Sequence, residues 1–308
     1  MTDVNEVLAR RADPFDLADD AAYRRWRAAK LARAPRRVED VVVDVADAAA
    51  LTVAERDALL DRIGACNFAV YRSARRHEDA AVARRVGAQL GVHRLDANWL
   101  ADDDGISRIA VSDASDGRGG FIPYTTRALH WHTDGYYHPA ERRIRAMVLH
   151  CVRPALRGGA NALFDHERAY IALRDADPAW LRALMADDAM TIPARLDDDG
   201  VARPAQGGPV FWRDDEEALN MRYTARTRSI EWKDDAATRA AADFLQRLLA
   251  DDAAGVLRMR LEAGMGIVAN NVLHDRAAFE DDPARPRLLY RARFLDRIPD
   301  AEAAWRNG

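Results

Sequence analysis

Leu129-His130-Trp131-His132-Thr133-Asp134-Gly135 decides how the rest of this 308-residue chain is read. As an extended strand it points His130, His132 and Asp134 to one side and Leu129, Trp131 and Thr133 to the other. An imidazole and a carboxylate two residues apart on one strand face can share a metal ion. They leave its far side for one further protein ligand and for exchangeable ones. That is two thirds of a 2-His-1-carboxylate set, coordination suited to non-haem Fe(II). The chain holds eight histidines and 50 acidic residues, so one His-x-Asp pair has little specificity until other residues corroborate it.

Composition bounds the search. About half the residues are apolar (49%) and 31% are charged, the profile of a soluble globular protein with material for a large core. A net charge of −4 gives no support for a nucleic-acid partner, which calls for a basic face. No apolar run approaches the roughly 20 residues a membrane helix needs. The opening Met1–Glu6 lacks the basic-then-apolar order of a signal peptide, and the two cysteines, Cys66 and Cys151, are too few for a disulfide framework. The expectation is a cytoplasmic protein with reduced, buried thiols.

Working outward, residues 1–37 predict a peripheral helix through Trp26 and Leu31 that Pro35 ends, packed on the main domain or forming a homo-oligomer contact. Val41–Val45 reads as a strand. Thr52-Val53-Ala54-Glu55 is a capping box that opens a helix through Ile63. Asn67–Tyr71 reads as a buried strand, and Asp79 to Leu90 as an amphipathic helix ended by Gly91. From Ile106 strands dominate: 106–111, 129–135, 145–152 and 161–164, with Asp165 placed to cap a helix and Asp177-Pro178 opening another. Residues 195–219 are acidic and Gly/Pro-rich, as in long surface or lid loops. Leu219 to Ile230 is strand-like, Asp235 to Leu249 helical, and 264–270 and 287–294 are strands. The pattern predicts one domain over 1–308, an α+β chain with a barrel-like core clad by helices.

Arg287-Leu288-Leu289-Tyr290-Arg291-Ala292-Arg293-Phe294 separates into an apolar face (Leu288, Tyr290, Ala292, Phe294) and an arginine-rich one (Arg287, Leu289, Arg291, Arg293). Guanidiniums turned into a barrel are costly unless anions meet them, and arginine grips a carboxylate with two parallel hydrogen bonds. An exposed strand face with ordinary surface arginines is the competing interpretation. His274 ends an apolar strand thirteen residues before Arg287. Taken alone it reads as a core or turn histidine. The ordered set (His-x-Asp, a distant His, then Arg-x-x-x-Arg) is a combination that chance rarely supplies.

On these residues the chain resembles the taurine dioxygenase-like (TauD/TfdA) family of Fe(II)- and 2-oxoglutarate-dependent dioxygenases. His132-Thr133-Asp134 is similar to the family's His-Thr-Asp element, His274 to its distal histidine, and Arg287–Arg291 to its paired-arginine strand. Gly158-Gly159-Ala160-Asn161 resembles the Gly-Gly-x-Thr turn, with Asn161 where Thr is frequent. Asn270-Asn271 departs from the usual Asp-Asn, with a shorter spacer to His274. The resemblance implies a double-stranded β-helix (jelly-roll) core and Fe(II) held by His132, Asp134 and His274. It implies 2-oxoglutarate held by Arg287 and the Asn161 amide, with Arg291 holding cosubstrate or substrate. It also implies three metal positions left for the 2-oxo acid and dioxygen, and oxidative decarboxylation to succinate and CO2. With Asp134 filling the carboxylate position, hydroxylation or desaturation of a C–H bond is expected, not halogenation. The substrate expected is a small polar molecule such as an amino acid or related acid, contacted by residues among Tyr124, Tyr136, Arg226, Arg228 and His130. A zinc hydrolase with the same three ligands and a non-catalytic ligand-binding barrel are the alternatives.

Overall fold

A computed structural model describes residues 12–96, 102, 104–112, 120–197, 200–226 and 230–299. In it two β-sheets enclose an apolar interior. Ten strands build them: β1 Val42–Val45, β2 Phe68–Ser73, β3 Ser107–Ile109, β4 Leu129–His132, β5 Ala146–Arg153, β6 Asn161–Phe164, β7 Leu257–Met259, β8 Met265–Ala269, β9 Leu273–Arg276 and β10 Leu288–Phe294. The larger sheet has the order β1-β2-β8-β5-β10-β3 and the smaller β7-β6-β9-β4. Every neighbouring pair is antiparallel except β1 with β2.

Strand alternation divides the apolar residues among three layers. Phe68, Val70, Met147, Leu149, Cys151, Ile267, Ala269 and Leu289 of the large sheet meet Leu163, Leu257 and Met259 of the small one. The opposite face of the large sheet (Ala69, Tyr71, Val148, Val268, Ala292, Phe294) packs beneath α2 (Val53–Cys66) and α3 (Ala81–Gln89). Phe164 and Leu273 of the small sheet carry α1 (Asp20–Ala32), α4 (His166–Ala176), α5 (Pro178–Leu184) and α6 (Ala236–Ala250) through Tyr23, Trp26, Tyr170, Leu181 and Leu245. This is the expected α+β, double-stranded β-helix core clad by helices.

The helix starts follow the caps read from sequence. Thr52 accepts from Glu55 N while the Glu55 carboxylate takes Thr52 N at 2.7 Å, a reciprocal cap worth about 1 kcal/mol. Asp165, Asp177 and Asp235 cap α4, α5 and α6. Both cysteines are free and buried. No helix among the described residues is long and apolar enough to cross a membrane.

Three expectations change. The strand expected over 129–135 ends at His132, and Asp134 stands in the turn that follows. Of 219–230 only Leu219–Met221 is strand, paired with Phe211–Arg213. The supposed loop 195–219 contains that partner strand and a second antiparallel ribbon, Arg195–Asp197 with Gly200–Arg203.

Candidate metal and cosubstrate site

His132 and His274 face one another across the β4–β9 pair. Their rings lie 4.2 Å apart, centroid to centroid. The pairing slips beside them: His274 stands opposite His132 but Arg276 opposite Leu129, so β4 carries one extra residue. The slip reverses the face of everything before His132. Leu129 therefore lines the interior cavity with His274, while His130 is exposed and its carbonyl accepts a hydrogen bond from His132 Nδ1 at 2.9 Å. The expected sharing of one face by His130, His132 and Asp134 is lost.

Asp134 reaches the histidines from the turn. Gly135 makes the turn possible with φ +66°, and a Cβ there would lie 2.5 Å from Ile144 Cγ1. Asn271, itself at φ +47°, fixes the Asp134 backbone from both sides. Its Oδ1 accepts from Asp134 N at 2.7 Å, and its Nδ2 donates to Asp134 O at 3.0 Å and to Ile144 O at 2.7 Å. On the other flank Tyr223–Ala225 hydrogen-bonds to Trp131 and Thr133. The sequence flagged Asn270-Asn271 only as a departure. Asn270 instead binds the Ile298 backbone through both ends of its amide, at 2.9 and 3.2 Å.

The resulting cluster is built to hold a cation. Donor atoms of His132, Asp134 and His274 all lie within 4.8 Å of one another. Nδ1 of each ring is spent on a backbone carbonyl, His130 O and Val272 O, both at 2.9 Å, which leaves Nε2 of each ring free. Asp134 Oδ1 accepts from Arg291 Nη1 at 3.1 Å, while Oδ2 is buried with no hydrogen-bond partner. Burial, and then the neighbouring His274, push the His132 imidazole down to about 3, so it is neutral and ready to ligate. Burial alone raises the Asp134 acid, but Arg291 and then Arg293 outweigh it and hold the carboxyl below its ordinary range. A buried, ionised, half-satisfied carboxylate beside two imidazoles that each turn Nε2 away from their backbone hydrogen bond fits a divalent metal ion.

A small cavity opens beside the cluster, lined by Ile109, Met147 and Leu149 of the large sheet and by Asn161, His274, Arg276, Arg287 and Arg291. Arg287 is buried, its guanidinium 4.9 Å above the Phe279 ring, and among the described residues no carboxylate pairs with it. Burial depresses its pKa to about 10. An unneutralised buried guanidinium beside a metal cluster is a receptor for an anionic ligand. Arg276, which the sequence reading passed over, lines the same cavity and is tethered by the carbonyls of Pro123 (3.2 Å), Thr125 (2.9 Å) and Arg127. Its position two residues after His274 was the available signal. Arg293 faces inward as expected but is spent on Asp96 (2.6 Å) and Tyr137.

The remaining candidates separate. Tyr136 lies edge-on to His132, ring centroids 6.4 Å apart, and burial raises its phenol against the opposing charge of Arg226. Tyr124 is fully buried in a short turn from which its neighbour Pro123 lines the cavity. Arg228 lies outside the described residues.

Comparison with known proteins places residues 28–293 in the family described as taurine catabolism dioxygenase TauD, TfdA. Two curated relatives are uridine-5'-phosphate dioxygenases. The one from Amycolatopsis sp is 35% identical over 195 residues, covering 60% of this chain and 66% of the relative. The one from Streptomyces sp is 34% identical over 178 residues, covering 55% of this chain and 62% of the relative. The chain thus matches less than two thirds of either relative's length. Among solved structures, the non-heme iron oxygenase OrfP in complex with Fe and alpha-ketoglutaric acid aligns with TM-score 0.58 at 18% identity, covering 80% of this chain and 81% of that one. An asparagine oxygenase bound to Fe(II), 3-hydroxyasparagine and succinate aligns with TM-score 0.53 at 17% identity, covering 79% and 84%. At these identities the structural likeness speaks for the fold.

Proposed function

The chain belongs to the taurine catabolism dioxygenase TauD, TfdA family, and from that premise we propose that it is an Fe(II)- and 2-oxoglutarate-dependent dioxygenase that oxidises a C–H bond of a small polar substrate. One observation carries the proposal: two imidazoles and a carboxylate converge within 4.8 Å beside a cavity whose Arg287 has no carboxylate partner among the described residues. His132, Asp134 and His274 hold the metal. Arg287, with the Asn161 amide lining the same cavity, takes the distal carboxylate of 2-oxoglutarate in a bidentate grip. Iron and 2-oxoglutarate, when bound, supply the oxidant through oxidative decarboxylation to succinate and CO2.

The protein's own residues do the positioning. Arg291 keeps Asp134 ionised by donating to its Oδ1, which leaves Oδ2 without a hydrogen-bond partner. Ile109, Met147 and Leu149 give the cosubstrate an apolar wall that excludes water. A zinc hydrolase would leave Arg287 without a role.

Among substrates, uridine 5'-phosphate is the one that the relatives at 34–35% identity favour. The amino acid expected from the sequence has support only from fold neighbours at 16–19% identity. The test is anaerobic addition of Fe(II) and 2-oxoglutarate, followed by exposure to air with uridine 5'-phosphate. A visible charge-transfer band and then iron-dependent succinate formation are expected. Absence of both band and succinate, with oxygen-independent hydrolysis of esters by the zinc-loaded protein, would overturn the proposal.

A further inference from the structure

The ribbon 195–203 contains a pairing that costs energy. Arg203 stands directly opposite Arg195 across two antiparallel strands, and like charges in that position repel. Arg203 is half-buried and held in place: Nη2 donates to Pro193 O at 2.5 Å, Nη1 to Pro204 O at 3.0 Å, and the guanidinium lies 5.9 Å from the Tyr137 ring centre. Those two carbonyls use two of its five N–H donors. Tyr137 in turn meets Tyr136 edge to face at 5.2 Å, and Tyr136 meets the metal-cluster ring of His132 at 6.4 Å.

Arg226 arrives from another direction. Its segment is locked to β4 by the Thr224–His132 bridge, and its charge, like that of Arg203, acts on the Tyr136 phenol. Among the described residues no carboxylate pairs with either Arg203 or Arg226. Neither lines the cavity that holds Arg287, so this positive group is separate from the proposed cosubstrate end. Two guanidiniums and a phenol offer more donors than a single carboxylate can use. They match the three terminal oxygens and double charge of a phosphate monoester.

We infer that Arg203 and Arg226, with Tyr136 between them and the metal cluster, form the subsite for the phosphate group of a phosphate-ester substrate. The inference rests on the dioxygenase reading for where the reacting carbon lies, not for the presence of the anion site.

The test is calorimetric titration of the intact protein with uridine 5'-phosphate, uridine, uridine 5'-sulfate and inorganic phosphate. The wild type is expected to prefer uridine 5'-phosphate over uridine by about tenfold or more, and Arg203→Ala and Arg226→Ala each to lose about that preference. Arg203→Lys, which keeps the charge but not the fork, retains part of it. Equal affinity for the 5'-phosphate and 5'-sulfate, or for phosphate ester and uridine, overturns the inference. So does an unchanged preference in both alanine variants. Arg226 is exposed, so its variant folds even if loss of Arg203 disturbs the ribbon. The Fe(II)–2-oxoglutarate band, read on the same samples, separates the two proposals. A band without phosphate preference sinks the subsite alone, and a preference without a band sinks the dioxygenase reading alone.

Discussion

Asn271 contributes more to the metal cluster than any residue that is not a ligand, because it fixes where the carboxylate starts. Its amide makes three hydrogen bonds, two of them to the Asp134 peptide. Asn271→Gly keeps the positive φ and deletes only the amide. We expect Fe(II) affinity to fall about 10–100-fold, as for lost partners of metal ligands, read by competition with a chelating dye; unchanged affinity would mean that Gly135 alone holds the turn. Arg287→Ala is expected to raise the 2-oxoglutarate requirement strongly with iron binding nearly intact; loss of iron instead would remove Arg287 from the cosubstrate role. The proposed ligands were legible because two sit in one short motif and the third precedes the paired arginines in an ordered set, although His274 lies within β9 and does not end the strand before it. Asn271 was visible only as an oddity, since its partners are 137 and 127 residues away in sequence. Arg276 was legible by alternation from His274 and was passed over.

At the scale of elements, the most exacting contact is between α1 and α4. Lys30 is buried in α1 with its Nζ 2.9 Å from Asp165 Oδ2 and against Glu167, the cap and first-turn acids of α4. Burial opposes the Lys30 charge, but Asp165 and then Glu167 outweigh it and raise its pKa above the ordinary lysine value. Burial likewise opposes the Glu167 charge, and Lys30 outweighs it, bringing that acid down from 4.5 to about 2. A depressed acid stabilises the fold above its ordinary value and loses that stabilisation as pH falls toward the folded one. Hence α1 should loosen between about pH 4.5 and 2, seen as faster amide exchange in Asp20–Ala32 than in β5. Lys30→Met leaves two buried carboxylates facing each other, and a loss of about 3–5 kcal/mol in urea unfolding is expected. A loss below about 1 kcal/mol would mean that water reaches the acids. The helix starts were readable because each cap lies within three residues of the amide it serves. The slip in β4 was not, because strand register is chosen by the partner strand and leaves no mark in 129–135.

For the whole molecule, the division of labour between sheets matters most. All three proposed metal ligands belong to the small sheet or its turn, whereas Arg287 and Arg291 lie at the start of and within β10 of the large one. The alternation of 287–294 revealed which side of β10 carries the arginines. Only the pairing order of the sheets brings that side over the histidines, and periodicity does not contain that order; the family resemblance implied no more than a jelly-roll core. On the proposed reading a metal ion with 2-oxoglutarate would tie the two sheets together across the cavity, and binding to the folded state alone must raise stability. At about 100 times its dissociation constant, a metal ion adds about 2.7 kcal/mol, or roughly 5 °C in Tm for a chain of this size. Mn(II) is the suitable probe, since it takes the same ligands without turnover in air. Scanning calorimetry should give one increment with Mn(II), a second when 2-oxoglutarate follows, and little for 2-oxoglutarate alone, because the metal supplies half its grip. Arg287→Ala should erase the second increment and keep the first. If 2-oxoglutarate raises Tm equally without metal, or equally in Arg287→Ala, the dicarboxylate is bound elsewhere and the bridge between the sheets is made by the protein's own Arg291–Asp134 pair.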